Sequence, residues 1–368
     1  MSDLEELGAW VRLLDAPGIG RESARKLLAC YGSPQAVVGA STASRTRVVG
    51  PAAALALAVP SEATEALVAT TLGWLAEGTD DVPRAILTLG DPRYPAALLQ
   101  TADPPLLLYA QGRIERLAEP ALAIVGSRNP TPQGQANARA FARHLSDAGI
   151  VVVSGLALGI DAAAHEGALQ GASGTIAVVG TGLDRVYPKR HLELAHRIVR
   201  SGLLLSEFPL GTPPLQAHFP SRNRIIAGLS RGALVVEAAL ASGSLITARL
   251  ANEAGREVFA IPGSIHSPLS HGCHALIKQG AKLVETAQDI LEELDLGPPR
   301  SAAVPADGVA PAGDALVDAM GFDPVGLDAL SARTGWSPAD LNIRLLEMEL
   351  SGTVARLPGQ LFQRLVQG

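Results

Sequence analysis

Residues 121–161 read ALAIVGSRNPTPQGQANARAFARHLSDAGIVVVSGLALGID. A short apolar run, 121–125, ends at Gly126-Ser127-Arg128-Asn129-Pro130. A stretch with helical spacing covers 134–148. A second apolar run, 150–154, ends at Ser154-Gly155-Leu156-Ala157-Leu158-Gly159-Ile160-Asp161. Strand, glycine-bearing turn, helix and strand again make a parallel crossover unit. The pattern continues downstream. Further strands are expected at 175–179, 203–206, 233–236, 257–261 and 282–285, with helices at 162–170, 189–200, 221–228, 244–255 and 273–279. Apolar strands alternating with helices imply an α/β fold, an extended Rossmann-like, doubly wound, mostly parallel sheet. Ligands in such sheets bind beyond the carboxyl ends of the strands, where this sequence places its glycines and polar residues.

Four loops there have the composition of a phosphate site. Gly126-Ser127-Arg128 leads into a helix whose first amides can receive an anion, with Arg128 as a bidentate charge. Ser154 to Asp161 is glycine-rich through Gly155 and Gly159. It is not a GxGxxG fingerprint, and no acid is placed to mark a ribose, so dinucleotide binding loses ground. Gly180-Thr181-Gly182-Leu183-Asp184-Arg185-Val186-Tyr187-Pro188-Lys189-Arg190-His191 brings Tyr187 beside Lys189, which suits splayed bases on a charged backbone. The fourth region holds Phe219-Pro220-Ser221-Arg222-Asn223-Arg224 and then Ser242-Gly243-Ser244 with Thr247, hydroxyls and amides at a helix start. Each feature has a plainer counterpart. Glycine after a strand also serves a tight turn, Asp161 can fold back on its own loop, and Arg190, Arg197 and Arg200 can be solvated helix-face charges.

The whole chain carries −6 over 368 residues. Residues 121–231 hold eleven Lys and Arg against six Asp and Glu, a segment of +5, so the remainder is −11. A uniformly basic coat is excluded, and any anion site is local. The length favours two or three domains, which a 47% hydrophobic content can fill. Two cysteines, Cys30 and Cys273, are too few for a disulfide framework and are expected as free thiols in a reducing, cytoplasmic setting. No long apolar run suggests secretion or membrane insertion.

The first hundred residues read as small helices, with a SAM-like or helix-hairpin-helix-like domain over 1–84 that carries the turn Pro17-Gly18-Ile19-Gly20. That turn can hold a phosphate or be structural only, and the acidic surroundings favour the second. The Rossmann-like domain is expected over 85–296 and a flexible Pro, Ala and Gly-rich linker over 297–313. Residues 314–368 follow as three helices and a hairpin, the order of a winged helix. The third helix, 338–350, carries Asp340, Glu347 and Glu349 with Arg344. That charge is wrong for reading DNA, so the domain is expected to be a protein-contact or regulatory module.

The runs GSRNPTPQG (126–134), SGLALGIDAAAHEGAL (154–169), GTGLDRVYPKRHLEL (180–194), SEFPLGTPP (206–214), HFPSRNRIIAGLS (218–230), EAALASGSLITARLANEAGREVFAIPG (237–263) and HALIKQGA (274–281) resemble the DNA-processing protein A (DprA) family in order and spacing. The resemblance implies a non-enzymatic, dimeric, single-stranded DNA-binding protein. Such a protein protects incoming DNA and loads the recombinase RecA in natural transformation and recombination, without cofactor or metal. It carries DNA contacts over to Arg128, Lys189, Arg222 and Arg224. The pocket walls would come from Gly126, Ser127, Gly155, Gly159, Ser242, Gly243, Ser244 and Thr247, with Ser154, Tyr187 and Asn223 in the same loops. The family's dimer surface would include residues 274–280.

Two other chemistries compete. Nucleoside monophosphate phosphoribohydrolases share a Rossmann arrangement but need a PGGxGTxxE loop. Here EAALASGSLITA (237–248) stands instead, with Glu237 as a residual carboxylate that also suits tying down a loop. His266, His271, Cys273 and His274 form a zinc-like cluster in sequence, for which loop and helix-cap roles are the alternative.

Overall fold

The computed structural model describes residues 2–296 and 315–365. The expected linker at 297–313 lies outside them. Six helices open the chain: α1 (Ser2–Asp15), α2 (Arg21–Tyr31), α3 (Pro34–Gly39), α4 (Thr42–Val49), α5 (Pro51–Ala56) and α6 (Glu62–Ala76). Two arginines close helix ends here by donating to otherwise unpaired carbonyls. Buried Arg45 reaches Val38 and Leu57 at 3.1 and 3.2 Å, and Arg12 reaches Leu57 and Ala58 at 2.8 and 2.6 Å.

The next elements are β1 (Arg84–Thr88), α7 (Ala96–Leu99) and β2 (Leu107–Gly112). An all-helical reading of the first hundred residues therefore needs correction at β1. Its five residues are too short to separate strand from helix by periodicity, and it is settled by antiparallel pairing with β2, Arg84 opposite Gln111 through Thr88 opposite Leu107.

The alternating region follows the expected order: β3 (Ala121–Val125), α8 (Pro132–Asp147), β4 (Val151–Ser154), α9 (Ile160–Ala168), β5 (Thr175–Val178), α10 (Leu192–Ser201), β6 (Leu203–Ser206), α11 (His218–Leu229), β7 (Gly232–Val235), α12 (Ser244–Glu253), β8 (Glu257–Ala260), α13 (His271–Lys278), β9 (Lys282–Leu283) and α14 (Ala287–Glu293). The fold is mixed α/β with a large, mostly parallel sheet. Some boundaries move for local reasons. Helix α8 starts two residues early because Thr131 caps it, accepting from Gly134 N–H, with Pro132 in the first turn. The helix expected over 189–200 is a 3₁₀ turn at Lys189–His191 followed by α10.

The described chain forms two compact units, one of residues up to 119 with 176–229, the other of 120–175 with those from 230 on. In the first, β1, β2 and β6 pair antiparallel and β6 pairs parallel with β5. In the second, β4, β3, β7, β8 and β9 pair in that order, all parallel. Every residue of β3 is buried, as a strand covered on both faces requires. Leu122 and Ile124 share a core with Phe141 and Leu145 of α8, Ile160 of α9 and Phe259 of β8.

The second unit also contains the C-terminal elements α15 (Ala315–Met320), β10 (Val325–Gly326), α16 (Leu327–Thr334), α17 (Pro338–Leu350), β11 (Val354–Leu357) and β12 (Leu361–Arg364). Their sheet runs β10-β12-β11 around Leu316, Leu330, Leu341, Leu345 and Phe362, the winged-helix order expected from sequence.

In the first unit, an ion-pair network ties α2 to α11. Arg21 meets Asp103 and Glu207, each at 3.1 Å, and Arg25 meets Asp103. Arg224 grips both Glu207 oxygens and the Asp103 carbonyl. Its side chain is 14% exposed and that of Glu207 12%. Removing one partner of so enclosed a pair leaves the other charge uncompensated. Glu207→Ala is therefore expected to destabilise this unit by about 3 kcal/mol, read as a lower urea midpoint, whereas Lys26→Ala, which breaks an exposed helix pair with Glu22, should move it by less than about 0.5 kcal/mol.

Candidate functional site

The loop after β3 is fixed from below and open at its tip. Ser127 N–H donates to the Glu237 carbonyl at 2.7 Å, Ile160 N–H donates to the Ser127 carbonyl at 3.1 Å, and the Ser127 hydroxyl accepts from Asn129 N–H. Ser127 is buried, and Arg128 and Asn129 are exposed. Glycine is required twice. A Cβ on Gly126 would meet Ile160 Cγ1 at 2.7 Å. At Gly159, with φ +78°, it would meet the Ser127 carbonyl at 2.3 Å and Pro130 at 2.6 Å. Gly159 thus serves the Arg128 loop by allowing the second glycine loop to pack against it.

The first turn of α8 is already occupied. Glu237 accepts from Thr131 N–H at 2.9 Å and from the Thr131 hydroxyl at 2.6 Å. Burial pushes its carboxyl above the usual glutamate range, and the two Thr131 donors oppose that shift. The anion expected at this helix start is the protein's own.

The loop after β4 also spends its polar groups internally. Fully buried Ser154 donates its hydroxyl to the Ile124 carbonyl at 2.7 Å. Asp161 accepts from Gly155 N–H at 3.1 Å and Ala157 N–H at 3.3 Å, folding back on its loop. Leu156, at φ +58°, donates its N–H to His165 Nε2 at 3.3 Å. Thr175 gives its proton to the Val152 carbonyl, so its oxygen accepts from His165 Nδ1–H at 2.7 Å. Those contacts assign the buried imidazole as the neutral Nδ1–H tautomer. At the start of α12 the Ser242 and Ser244 hydroxyls bond each other at 2.6 Å. Gly243 is exposed, and Ser244 and Thr247 are buried.

In the first unit, the Ser206 hydroxyl pins the Thr181 carbonyl at 2.7 Å, and Asp184 accepts from Gly211 N–H at 2.8 Å while pairing Arg185 at 2.9 Å. The loop projects Lys189 into solvent and leaves Tyr187 49% exposed. The Tyr187 ring lies 5.6 Å from that of Phe219, and Phe208 stacks on His218 at 4.0 Å. Arg222, in α11, is buried, Asn223 is half-buried, and Arg224 is held by Glu207 and Asp103. The sequence reading missed that acidic pair. The signal available was Glu207 itself, an acid directly after a strand within a quoted motif.

The zinc-like cluster in sequence does not assemble. Cys273 lies against the carbonyls of Val235 and Val236, His271 Nε2 contacts the Ile265 carbonyl, and His274 Nε2 contacts that of Gly263. Among the described residues no three metal-ligand side chains converge, and no helix is long and apolar enough to cross a membrane.

The class defined by this fold and these loops is a Rossmann-like α/β protein with cations displayed beyond its strand ends. The chain belongs to the DNA recombination-mediator protein A family, whose model matches residues 85–295, and a DprA winged helix domain model matches 299–360. It is 46% identical over 276 residues to Protein Smf of Escherichia coli, covering 72% of this chain and 74% of that one. It is 51% identical over 205 residues to DNA processing protein DprA of Streptococcus pneumoniae, covering 56% and 72%. The X-ray structure of the Streptococcus pneumoniae protein superposes with a TM-score of 0.67 at 39% identity, covering 78% of this chain and 97% of that one. A Helicobacter pylori DprA structure, which concerns that protein's single-stranded DNA binding mode, gives 0.52 at 34% identity, covering 57% and 95%.

Two measurements check this geometry. Gly159→Ala combines a left-handed φ with a clash on the Ser127 carbonyl and is expected to cost about 2 kcal/mol of stability, visible as a lower melting temperature. Burial pushes the Cys273 thiol up to about 12, whereas Cys30 is exposed. A native thiol titration with Ellman's reagent should therefore count one thiol, and the same titration in denaturant two.

Proposed function

We propose that this chain is a non-enzymatic, cytoplasmic single-stranded DNA-binding protein whose phosphate contacts are led by Arg128 and Lys189. The observation that carries the reading is the exposure of these two cations at the tips of loops whose bases are pinned by buried hydrogen bonds. Tyr187 beside Phe219 adds an aromatic surface on which a base can stack. Gly126, Ser127, Gly155, Gly159 and the Ser242–Thr247 segment form supporting walls. Arg224 acts through the network that holds α11. Little in this set reads base edges, so sequence preference is weak and salt dependence strong.

By the family's chemistry the protein protects incoming DNA and loads RecA in natural transformation and recombination. It dimerises through a surface including residues 274–280, and two sites on one strand raise the affinity. The division proposed is a helical domain over 1–84, the DNA-binding domain over 85–296, a linker over 297–313 and the winged-helix domain over 314–368. Helix α17 exposes Ile343, Leu346 and Leu350 beside Asp340 and Glu347, a composition for protein contact rather than for phosphates. The phosphoribohydrolase alternative is the weaker reading, because Glu237 is committed to Thr131.

The test is fluorescence anisotropy with single-stranded and duplex oligonucleotides across a salt series. Wild type should prefer single strands. Arg128→Ala and Lys189→Ala should each weaken binding and flatten the log–log salt slope by about 0.7, the value for one phosphate contact on a single strand. Wild-type affinity and slope in both variants would remove the assignment.

A further inference from the structure

The Glu237 carboxylate stands where Rossmann-like folds receive a phosphate, at the first turn of the sixteen-residue helix α8. A Cβ on Gly134 would fall 2.4–2.6 Å from its carboxyl atoms, so glycine there lets the turn close directly on the carboxylate. The Thr131 hydroxyl accepts from Gly134 N–H at 3.0 Å, which directs its proton to Glu237. Both carboxyl oxygens then accept hydrogen bonds, the pattern of the ionised form. The main chain of the same residue holds Ser127 through its N–H. A fixed negative charge is thereby built into the base of the loop that displays Arg128.

We propose that Glu237 is a specificity residue: an internal anion that closes the α8 N-terminus to terminal phosphate groups and leaves the exposed side of the loop, at Arg128 and Asn129, to the phosphodiesters of a continuous strand. The proposal rests on the DNA-binding reading above and narrows its substrate. A phosphodiester carries one negative charge, whereas a terminal phosphate carries close to two at neutral pH. Repulsion grows in proportion to that charge, and a carboxylate partly withdrawn from water is poorly screened. Strand interiors are thus favoured over 5′-phosphorylated ends and over mononucleotides.

The experiment uses the full chain as wild type, Glu237→Gln and Glu237→Ala. A fluorescein-labelled oligothymidylate is displaced by unlabelled tetrathymidylate carrying either a 5′-hydroxyl or a 5′-phosphate. Glutamine preserves the shape against Thr131 and removes the charge. Wild type should favour the 5′-hydroxyl competitor, and Glu237→Gln should shift the ratio toward the 5′-phosphate by roughly fivefold, as expected for one unit charge at intermediate dielectric. Should Glu237→Gln not fold, Glu237→Ala, which also removes the charge, is read in the same way. A ratio identical to wild type overturns the proposal. Thermal unfolding with and without inorganic pyrophosphate separates the two readings. If wild type binds no oligothymidylate, the DNA-binding reading falls. A pyrophosphate-induced rise confined to the uncharged variant then still supports the closed helix terminus, and no rise or an equal rise in both overturns it.

Discussion

Arg128 can stand at an exposed loop tip only because residue 237 holds that loop twice, through its main-chain carbonyl on Ser127 and through its carboxylate on Thr131. A loop of six residues without that anchor would sample many conformations, and ordering it on ligand binding would consume affinity. The second glycine loop depends on the same clamp, since Gly159 packs on the Ser127 carbonyl. Asp161, His165 and Ser154 then satisfy the groups around it. The result is an exposed tip on a base held by buried hydrogen bonds.

Much of this architecture was legible in the sequence because its signals are local. The all-apolar run 121–125 followed by glycine marks a parallel strand and its turn, and the motif order marks the family. The start of α8 was read two residues late, although Thr131 and Pro132 carried the capping signal. The strand β1 was not, because five residues with Arg84 at one end carry no decisive period and are defined by their partner β2. That Glu237 ties down a loop was readable, but its partner Thr131 was not, and the roles of Asp103 and Glu207 were hidden for a related reason. An acid's partner is a matter of tertiary contact, and Arg224 lies 121 residues from the Asp103 carbonyl it binds.

That contact also changes how the positive segment is to be counted. Residues 121–231 carry +5 by sequence, yet Arg224 is matched by Asp103 and Glu207, Arg185 by Asp184 and Arg139 by Glu166. The network also draws one acid, Asp103, and two cations, Arg21 and Arg25, from outside the counted segment, so formal charge along the chain does not by itself give the field available to a ligand.

Arginine placement follows from the same economy. Its planar fork suits Arg224, which must satisfy two acidic residues in a largely buried place, and Arg45, which must satisfy several carbonyls at once. Lysine, a compact and strongly hydrated charge on a flexible stem, stands at position 189 where the loop meets water. Guanidinium groups such as those of Arg224 and Arg45 hold helices together and the exposed cations meet solvent, so losing a cation differs at the two kinds of place: at Arg224 it removes a partner of the enclosed Glu207, and at Lys189 it removes a charge that already stands in water.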